Sequence, residues 1–186
     1  MTVFDYIRLA LFVTATLAVT AISWRTLLNI RSHGFYRFIA WEAIAGLILW
    51  NLPYWFSDPF TIQHMLSWTV LIASLYVLWR GVSGLRDAKR SGNRSEKELF
   101  EFERTSELIT SGIYKYIRHP LYASLLYLAW GAFLKDISWV SAILTVVSTG
   151  SLISTAKADE KECIKYFGDQ YSDYMEHNKM LIPFVF

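Results

Sequence analysis

Residues 62–82, IQHMLSWTVLIASLYVLWRGV, decide the fold class. The only Lys, Arg, Asp or Glu in the stretch is Arg80, near its end. A helix needs about 20 mostly apolar residues to cross the hydrocarbon core of a bilayer, so the stretch predicts a membrane-spanning helix. Of the 186 residues, 54% are hydrophobic and 17% aromatic, which is more than a soluble domain of this size needs.

Four further apolar stretches predict spans on the same ground. They are Leu9–Trp24, Phe38–Phe56, Pro120–Leu134 and Ile137–Ala156. The second holds the helix-bending Pro53 and one acid, Glu42, which could pair with a basic group inside the bundle or lie near a helix end. The fourth is short, and Tyr114–Ile117 would extend it. We therefore predict a single domain, residues 1–186, with an all-α fold: an integral membrane bundle of about five transmembrane helices.

The positions of Lys and Arg predict the orientation of the bundle. With five spans, 16 of the 18 basic residues fall on one side, and only Arg8 and Lys135 fall on the other. Cytoplasmic loops carry the excess of Lys and Arg. We therefore expect the N-terminus outside, and the loop 83–119 and the C-terminal tail in the cytoplasm. The first apolar run lacks a small-residue cleavage site, which predicts a retained span.

Composition and motifs exclude several classes of site. The net charge of +2 is too small to indicate a nucleic-acid partner. The single cysteine, Cys163, excludes an internal disulfide and a multi-cysteine metal site. No glycine-rich phosphate loop or dinucleotide fingerprint is present. His33, His64 and His177 are isolated in the sequence, so we predict no metal site.

The segment Ser111–Tyr122, SGIYKYIRHPLY, is the first candidate for chemistry. Arg118 and His119 stand directly before Pro120, a residue that is favoured in the first turn of a helix. This order places a cation and an imidazole where a membrane helix begins. Ionisable residues at membrane depth are functional candidates; the alternative is an arginine that reaches lipid headgroups and a histidine that caps the helix.

The segment Lys157–Tyr174, KADEKECIKYFGDQYSDY, is the second candidate. Its apolar residues recur at helical spacing, which predicts an amphipathic cytoplasmic helix broken near Gly168. Asp159, Glu160 and Glu162 lie in the first turns of that helix. Acids there suit the helix dipole without any catalytic role, so the segment is ambiguous when taken alone.

Together the two segments resemble the isoprenylcysteine carboxyl methyltransferase and phospholipid methyltransferase superfamily. The similar stretches are 108-LITSGIY-114, 118-RHPLY-122, Asp159-Glu160, 167-FGDQY-171 with Tyr174, and Pro183. They cover roughly residues 106–186, while the first three spans match only in hydrophobicity and number. Members of this superfamily are small multi-span enzymes that use S-adenosylmethionine.

The resemblance implies which residues form the site. It points to Arg118, His119 and Glu160 as catalytic residues. It also implies that the cofactor S-adenosyl-L-methionine is bound by Leu108, Gly112, Tyr114, His119, Tyr122, Asp159 and Glu160. The three N-terminal spans (1–82) and the loop 83–119 would then precede a catalytic half, residues 120–186. The partners implied are the bilayer and a lipophilic acceptor, with the oligomeric state left open.

The donor's functional groups suggest roles for these residues. S-adenosylmethionine carries an ammonium and a carboxylate, and charge-assisted hydrogen bonds would join them to Glu160 and Arg118. If the acceptor is an amine or a thiol, a proton must leave, and His119 is then the nearest base. The acceptor atom, O, N or S, stays open.

The sequence departs from the superfamily pattern in two places, and two rival functions remain. Ser106 stands where the family often has histidine, and Asp159-Glu160 replaces Glu-Glu. Membrane sterol reductases, which use NADPH, carry a similar Arg-His-Pro segment, and Asp159-Glu160-Lys-Glu-Cys163 looks like theirs. The first rival is therefore a membrane reductase, and the second is a membrane scaffold without enzymatic activity.

Overall fold

The computed structural model describes residues 2–30, 32–89 and 108–186. Within these ranges the chain forms six α-helices and two short 3-10 turns, with no strand beyond an isolated bridge. The helices are α1 (Val3–Leu27), α2 (His33–Asn51), α3 (Ile62–Lys89), α4 (Pro120–Phe133), α5 (Trp139–Phe167) and α6 (Asp169–His177). The 3-10 turns are Leu52–Tyr54 and Gly112–Lys115. The predicted all-α class is confirmed.

Three of the described helices are long and apolar enough to cross a membrane. They contribute Val3–Trp24, Ile62–Arg86 and Trp139–Phe167. Helix α4 is apolar but has 14 residues, about 21 Å at 1.5 Å per residue, which is less than the roughly 30 Å of a hydrocarbon core. The chain is an integral membrane protein, and the count of five spans stays a prediction.

Two predicted helix boundaries are wrong. Helix α2 ends at Asn51, and Pro53 lies in the following 3-10 turn instead of bending a longer span. A proline lacks the N–H that would continue the helix. The segment Tyr114–Ile117 does not extend α4, because part of it belongs to the second 3-10 turn and His119 (φ −123°, ψ 68°) is not helical.

The predicted fifth span and the acidic segment after it form one helix. Helix α5 runs without interruption for 29 residues and ends at Gly168, whose φ is +62°. The residues between Ala156 and Gly168 include no glycine or proline, so nothing in that segment ends the helix earlier. Asp159, Glu160 and Glu162 therefore lie deep in α5, and the interpretation of them as a first-turn acidic cluster is wrong.

Helix packing brings the two candidate segments together. Helix α2 packs on α1 and α5, α3 packs on α4, and α4 touches both α2 and α5. Small residues at helical spacing on α4, Ala123, Ala129 and Ala132, are fully buried, and small residues let membrane helices approach closely. Glu42, whose partner the sequence left open, accepts a 2.7 Å hydrogen bond from Thr16 Oγ1 on α1.

Candidate active site

The backbone before α4 is fixed by the C-terminal segment. Arg118 N donates to Lys179 O at 2.8 Å, and His119 N donates to Met180 O at 3.2 Å. Lys179 N in turn donates to Tyr116 O at 3.3 Å. These bonds hold the segment 116–119 against the C-terminal segment, and the next residue, Pro120, begins the first turn of α4. Arg118 and His119 are thereby presented to α5.

Arg118 and Glu160 form a buried ion pair. Arg118 Nε donates to Glu160 Oε1 at 2.8 Å, and Arg118 Nη2 lies 2.6 Å from the same oxygen. Arg118 Nη1 donates to the carbonyl oxygens of Met175, at 3.2 Å, and Asn178. Both side chains of the pair are less than 10% exposed. The pair thus links the start of α4 to α5 and to the end of α6, and the guanidinium is bonded within the protein.

His119 lies between the two acids of α5. Its Nε2 is 3.3 Å from Glu160 Oε1, and its Nδ1 is 3.4 Å from Asp159 Oδ2. The ring stacks on Tyr122 with centroids 5.4 Å apart. Burial disfavours the charged ring, but the hydrogen bonds and charges of Asp159 and Glu160 outweigh it and raise the pKa of His119. His119 occupies the N-cap position of α4, but its side chain makes no capping hydrogen bond, so capping alone does not explain the buried imidazole.

A pocket opens beside this cluster. Its wall consists of Leu85, Leu108, Ile109, Tyr114, Arg118, His119, Pro120, Leu121, Tyr122, Asp159, Cys163, Phe167, Tyr171 and Tyr174. Tyr122 donates to Asp159 Oδ2 at 3.4 Å, which holds this carboxylate at the wall. The side chain of Asp159 is 18% exposed, more than that of Glu160 at 7%. Of the two predicted acids, Asp159 is the one that faces the pocket.

Two tyrosines of the pocket wall join three segments of the chain. Tyr174 donates to Tyr114 O at 2.6 Å, and Tyr114 donates to Gly81 O at 3.2 Å. A Cβ on residue 84 would lie 2.9 Å from the Tyr114 ring, so a glycine at this position of α3 leaves room for the ring. Gly112 has a φ of +63°, which glycine adopts readily and other residues rarely do. Gly112 is not part of the wall and shapes the turn that carries Tyr114.

The structure brings together most of the predicted site residues. Six of the eight line the pocket: Leu108, Tyr114, Arg118, His119, Tyr122 and Asp159. Glu160 lies behind the wall, bonded to Arg118 and His119, and Gly112 acts through the backbone. Ser106 lies outside the described residues. Sequence reasoning missed Phe167, Tyr171 and Tyr174 as pocket residues, although their helical spacing was the signal that marked this face.

The sequence predicts that His33 is isolated, but in the structure it contacts Glu162. It is fully buried at the start of α2, and its Nδ1 lies 3.0 Å from both carboxylate oxygens of Glu162 on α5. With Asp159, these residues bring three potential metal-ligating atoms within 4.8 Å of one another. The contact ties α2 to the helix that carries Asp159 and Glu160.

Comparison with known proteins identifies the family. The sequence profile of the phospholipid methyltransferase family matches residues 62–170, which is more than half of the chain. The chain belongs to the phospholipid methyltransferase family. The match includes Arg118, His119, Asp159 and Glu160, so the buried cluster lies inside the family's shared region.

Two relatives of the chain share one name. The methanethiol S-methyltransferase of Crocosphaera subtropica is 27% identical over 157 residues, which cover 80% of this chain and 55% of the relative. The protein of that name from a Pseudomonas species is 25% identical over 151 residues, 78% of this chain and 54% of the relative. The chain thus spans about half the length of the curated relatives it matches.

The comparisons favour a methyltransferase over the reductase alternative. The family and both relatives carry methyltransferase names, which gives the reductase alternative no support. No solved structure matches the chain significantly.

Proposed function

We propose that the chain transfers a methyl group from S-adenosylmethionine to a lipophilic acceptor. The observation that carries the proposal is the cluster at the pocket: a carboxylate at the wall, Asp159, backed by a buried imidazole and a buried ion pair. Membership of the phospholipid methyltransferase family supports the same reaction.

The chemistry of the pocket fits the donor. A site for S-adenosylmethionine must accept a sulfonium and an ammonium, both cations, next to an adenine ring. Asp159 offers a partly exposed carboxylate, and His119 with Tyr122, Phe167 and Tyr171 offers aromatic faces. Aromatic faces attract cations, and such rings also stack on bases.

The pairing seen in the structure changes the roles that the donor's groups suggested. Arg118 and Glu160 bond each other, so we assign them to positioning: they fix the start of α4 against α5. Asp159 then becomes the acid for the donor's ammonium. His119, a hydrogen-bond donor to two carboxylates in its protonated form, holds Asp159 in place, and this protonated ring cannot serve as the base.

The reaction needs little acid–base chemistry from the protein. Bound S-adenosylmethionine supplies an electrophilic methyl group, whose bond to sulfur breaks, leaving the electron pair on sulfur, as the acceptor's lone pair forms the new bond. The chain's residues hold the two reactants in line and exclude water, which is the proximity contribution to catalysis. A thiol or an amine gives up its proton to water before it enters the site, because Asp159 is engaged by the donor's ammonium.

The proposal includes an orientation and a division of the chain. We place the pocket at the cytoplasmic face, with the N-terminus outside, because 16 of 18 basic residues fall on the pocket's side in the five-span arrangement. Residues 1–82 would form the supporting spans. Residues 120–186 would form the catalytic half, joined by Leu108 and Tyr114 from the preceding segment.

Calorimetry on the detergent-purified protein tests the proposal. We expect saturable binding of S-adenosylhomocysteine, weakened by Asp159→Asn, and no binding of NADPH. The matched control is Asp173→Asn, an exposed acid on α6 that is not part of the pocket wall. Binding of NADPH without binding of S-adenosylhomocysteine would overturn the proposal in favour of a reductase, and binding of neither would favour a scaffold.

A further inference from the structure

A second cavity lies between α2, α3 and α4, with a volume of about 420 Å³. We refer to it as the α2–α4 cavity. Its wall consists of Arg37, Trp41, Trp55, Trp68, Leu71, Ser74, Leu75, Leu78, Val82, Leu121, Tyr122, Ser124, Leu125 and Leu128. Two of these residues, Leu121 and Tyr122, also line the candidate active site, so the two spaces share a wall.

The α2–α4 cavity is suited to hydrocarbon. Its two serines are already satisfied within the protein: Ser74 donates to Ser124 O at 2.8 Å, and Ser124 donates to Leu121 O at 2.7 Å. The remaining wall is aliphatic and aromatic apart from Arg37, the Tyr122 hydroxyl and the indole N–H groups of the three tryptophans. Leu75 and Leu78 are 66% and 41% exposed, so the cavity reaches the outer surface of α3 at membrane depth. A molecule dissolved in the bilayer can enter there.

The residues that line the cavity extend along α3. The lining stretch of α3 from Trp68 to Val82 is about 20 Å long at 1.5 Å per residue. At one end is Tyr122, next to the candidate active site. At the other end Trp55 and Trp68 meet edge to face, and Lys135 Nζ lies 3.8 Å from the Trp68 ring centroid. A cavity of about 150 Å³ already holds benzene, so this one far exceeds the needs of a one-carbon thiol.

One cation stands at the active-site end. Arg37 lies one helical turn after His33 on α2 and is 4% exposed, with its guanidinium 5.3 Å from the centroid of the Trp41 ring. A buried positive charge favours the ionised form of a nearby acid and disfavours a nearby ammonium. Arg37 is the charged residue of the cavity wall, so a thiolate or a carboxylate there meets an opposite charge and an ammonium meets a like charge.

We propose that the α2–α4 cavity holds the alkyl chain of the methyl acceptor, and that Arg37 selects an acceptor with an acidic end. The inference rests on the proposed methyl transfer and narrows its acceptor to long-chain thiols or carboxylates. The acidic end gives its proton to water before it enters and reacts as an anion beside Tyr122. Its lone pair forms the new bond to the methyl carbon as the bond from that carbon to the donor's sulfur breaks, giving a thioether or an ester and S-adenosylhomocysteine. The alkyl chain lies toward Trp68.

The test uses labelled S-adenosylmethionine and protein in nanodiscs. Matched ten-carbon acceptors are decanethiol, decanoate and decylamine, and the two-carbon references are ethanethiol and acetate. We expect methyl transfer to decanethiol or to decanoate, and the one that is methylated identifies the acidic end. Methyl transfer to decylamine should be lower by a factor of at least about ten. Preferred methylation of decylamine would overturn the inference.

Variants on α3 test the position of the alkyl chain. Leu78→Trp narrows the cavity and should lower the ratio of ten-carbon to two-carbon transfer about tenfold. The control, Ile72→Trp, adds the same ring on an exposed residue of α3 outside the cavity wall and should keep the wild-type ratio. An unchanged ratio in Leu78→Trp would contradict the inference.

Substitution of Arg37 tests the charge selection. Arg37→Gln should lose the preference for acidic over amine acceptors, and Arg37→Lys should retain most of it. Binding of S-adenosylhomocysteine to each variant confirms that it is folded. An unchanged preference in Arg37→Gln would exclude Arg37 as the selector. Absence of transfer to every acceptor would contradict the proposed function itself, whereas transfer without selection by chain length or charge contradicts only this inference.

Discussion

Arg118 directs two of its nitrogens at a single oxygen of Glu160, at 2.8 Å from Nε and 2.6 Å from Nη2. Because both side chains are buried, breaking the pair leaves an uncompensated charge in the protein. The pair also joins α4, α5 and α6 at the pocket wall. It therefore stabilises the geometry of the site as well as the fold.

Glu160→Gln should destabilise the protein and weaken binding in the pocket. Removal of one partner of a buried ion pair costs on the order of 3 kcal/mol, and we expect a melting temperature lower by roughly 10 °C. Arg118→Lys should act in the same direction, since lysine keeps the charge but lacks the planar fork. Differential scanning fluorimetry measures the melting temperatures of both variants. The control, Glu176→Gln on the exposed face of α6, should have the melting temperature of the wild type. A wild-type melting temperature in Glu160→Gln would refute the claim that the pair stabilises the protein.

The raised pKa of His119 predicts how its contribution to stability depends on pH. The protonated ring is favoured in the folded state, so its contribution is fully present below the ordinary pKa near 6.5 and is lost as pH rises through the raised value. The melting temperatures of wild type and His119→Asn should therefore differ most near pH 6 and converge toward pH 9. A difference that grows with pH would show that the neutral ring is the stabilising form.

Two glycines should respond to alanine in opposite directions. Gly112 has a φ of +63°, and Gly112→Ala should destabilise by about 1 kcal/mol or more because alanine rarely adopts that conformation. Gly150 lies in the interior of α5, where an added Cβ would meet no atom within 4 Å, and Gly150→Ala should stabilise by about 0.5–1 kcal/mol. Thermal melting of the two variants shows whether each substitution stabilises or destabilises the protein. Stabilisation by Gly112→Ala would contradict the turn described before Tyr114.

The local part of the fold could be predicted from sequence, whereas the meeting of distant segments could not. Apolar length predicts spans because one helix carries that information within itself. Arg118 and Glu160 are 42 positions apart, and His33 and Glu162 are 129 apart, so no spacing rule joins them. The resemblance to a family indicated the first pair, and nothing in the sequence indicated the second. The sequence predicts a separate helix for the acidic segment because charged residues, and not a helix-breaking residue, mark the end of the apolar run.

The five-span arrangement predicts that the two ends of α3 lie on opposite sides of the membrane. Single cysteines placed at Phe60 and Ser111, both exposed, in a Cys163→Ser background should differ in labelling by a membrane-impermeant maleimide added to intact cells. Phe60→Cys should be labelled and Ser111→Cys protected until the cells are opened. Equal labelling of both in intact cells would rule the arrangement out.

Transfer of a tritiated methyl group from S-adenosylmethionine into lipid-soluble material tests the central claim most directly. Purified protein in nanodiscs made from lipids of the expressing membrane should move label into the organic phase, in an amount proportional to the enzyme. The amount of S-adenosylhomocysteine formed should equal the amount of methyl groups transferred. Asp159→Asn should lose most of this transfer, and Asp173→Asn should retain it. Label that stays in the aqueous phase with every acceptor tested, despite a folded protein, would contradict the assignment of this site to methyl transfer.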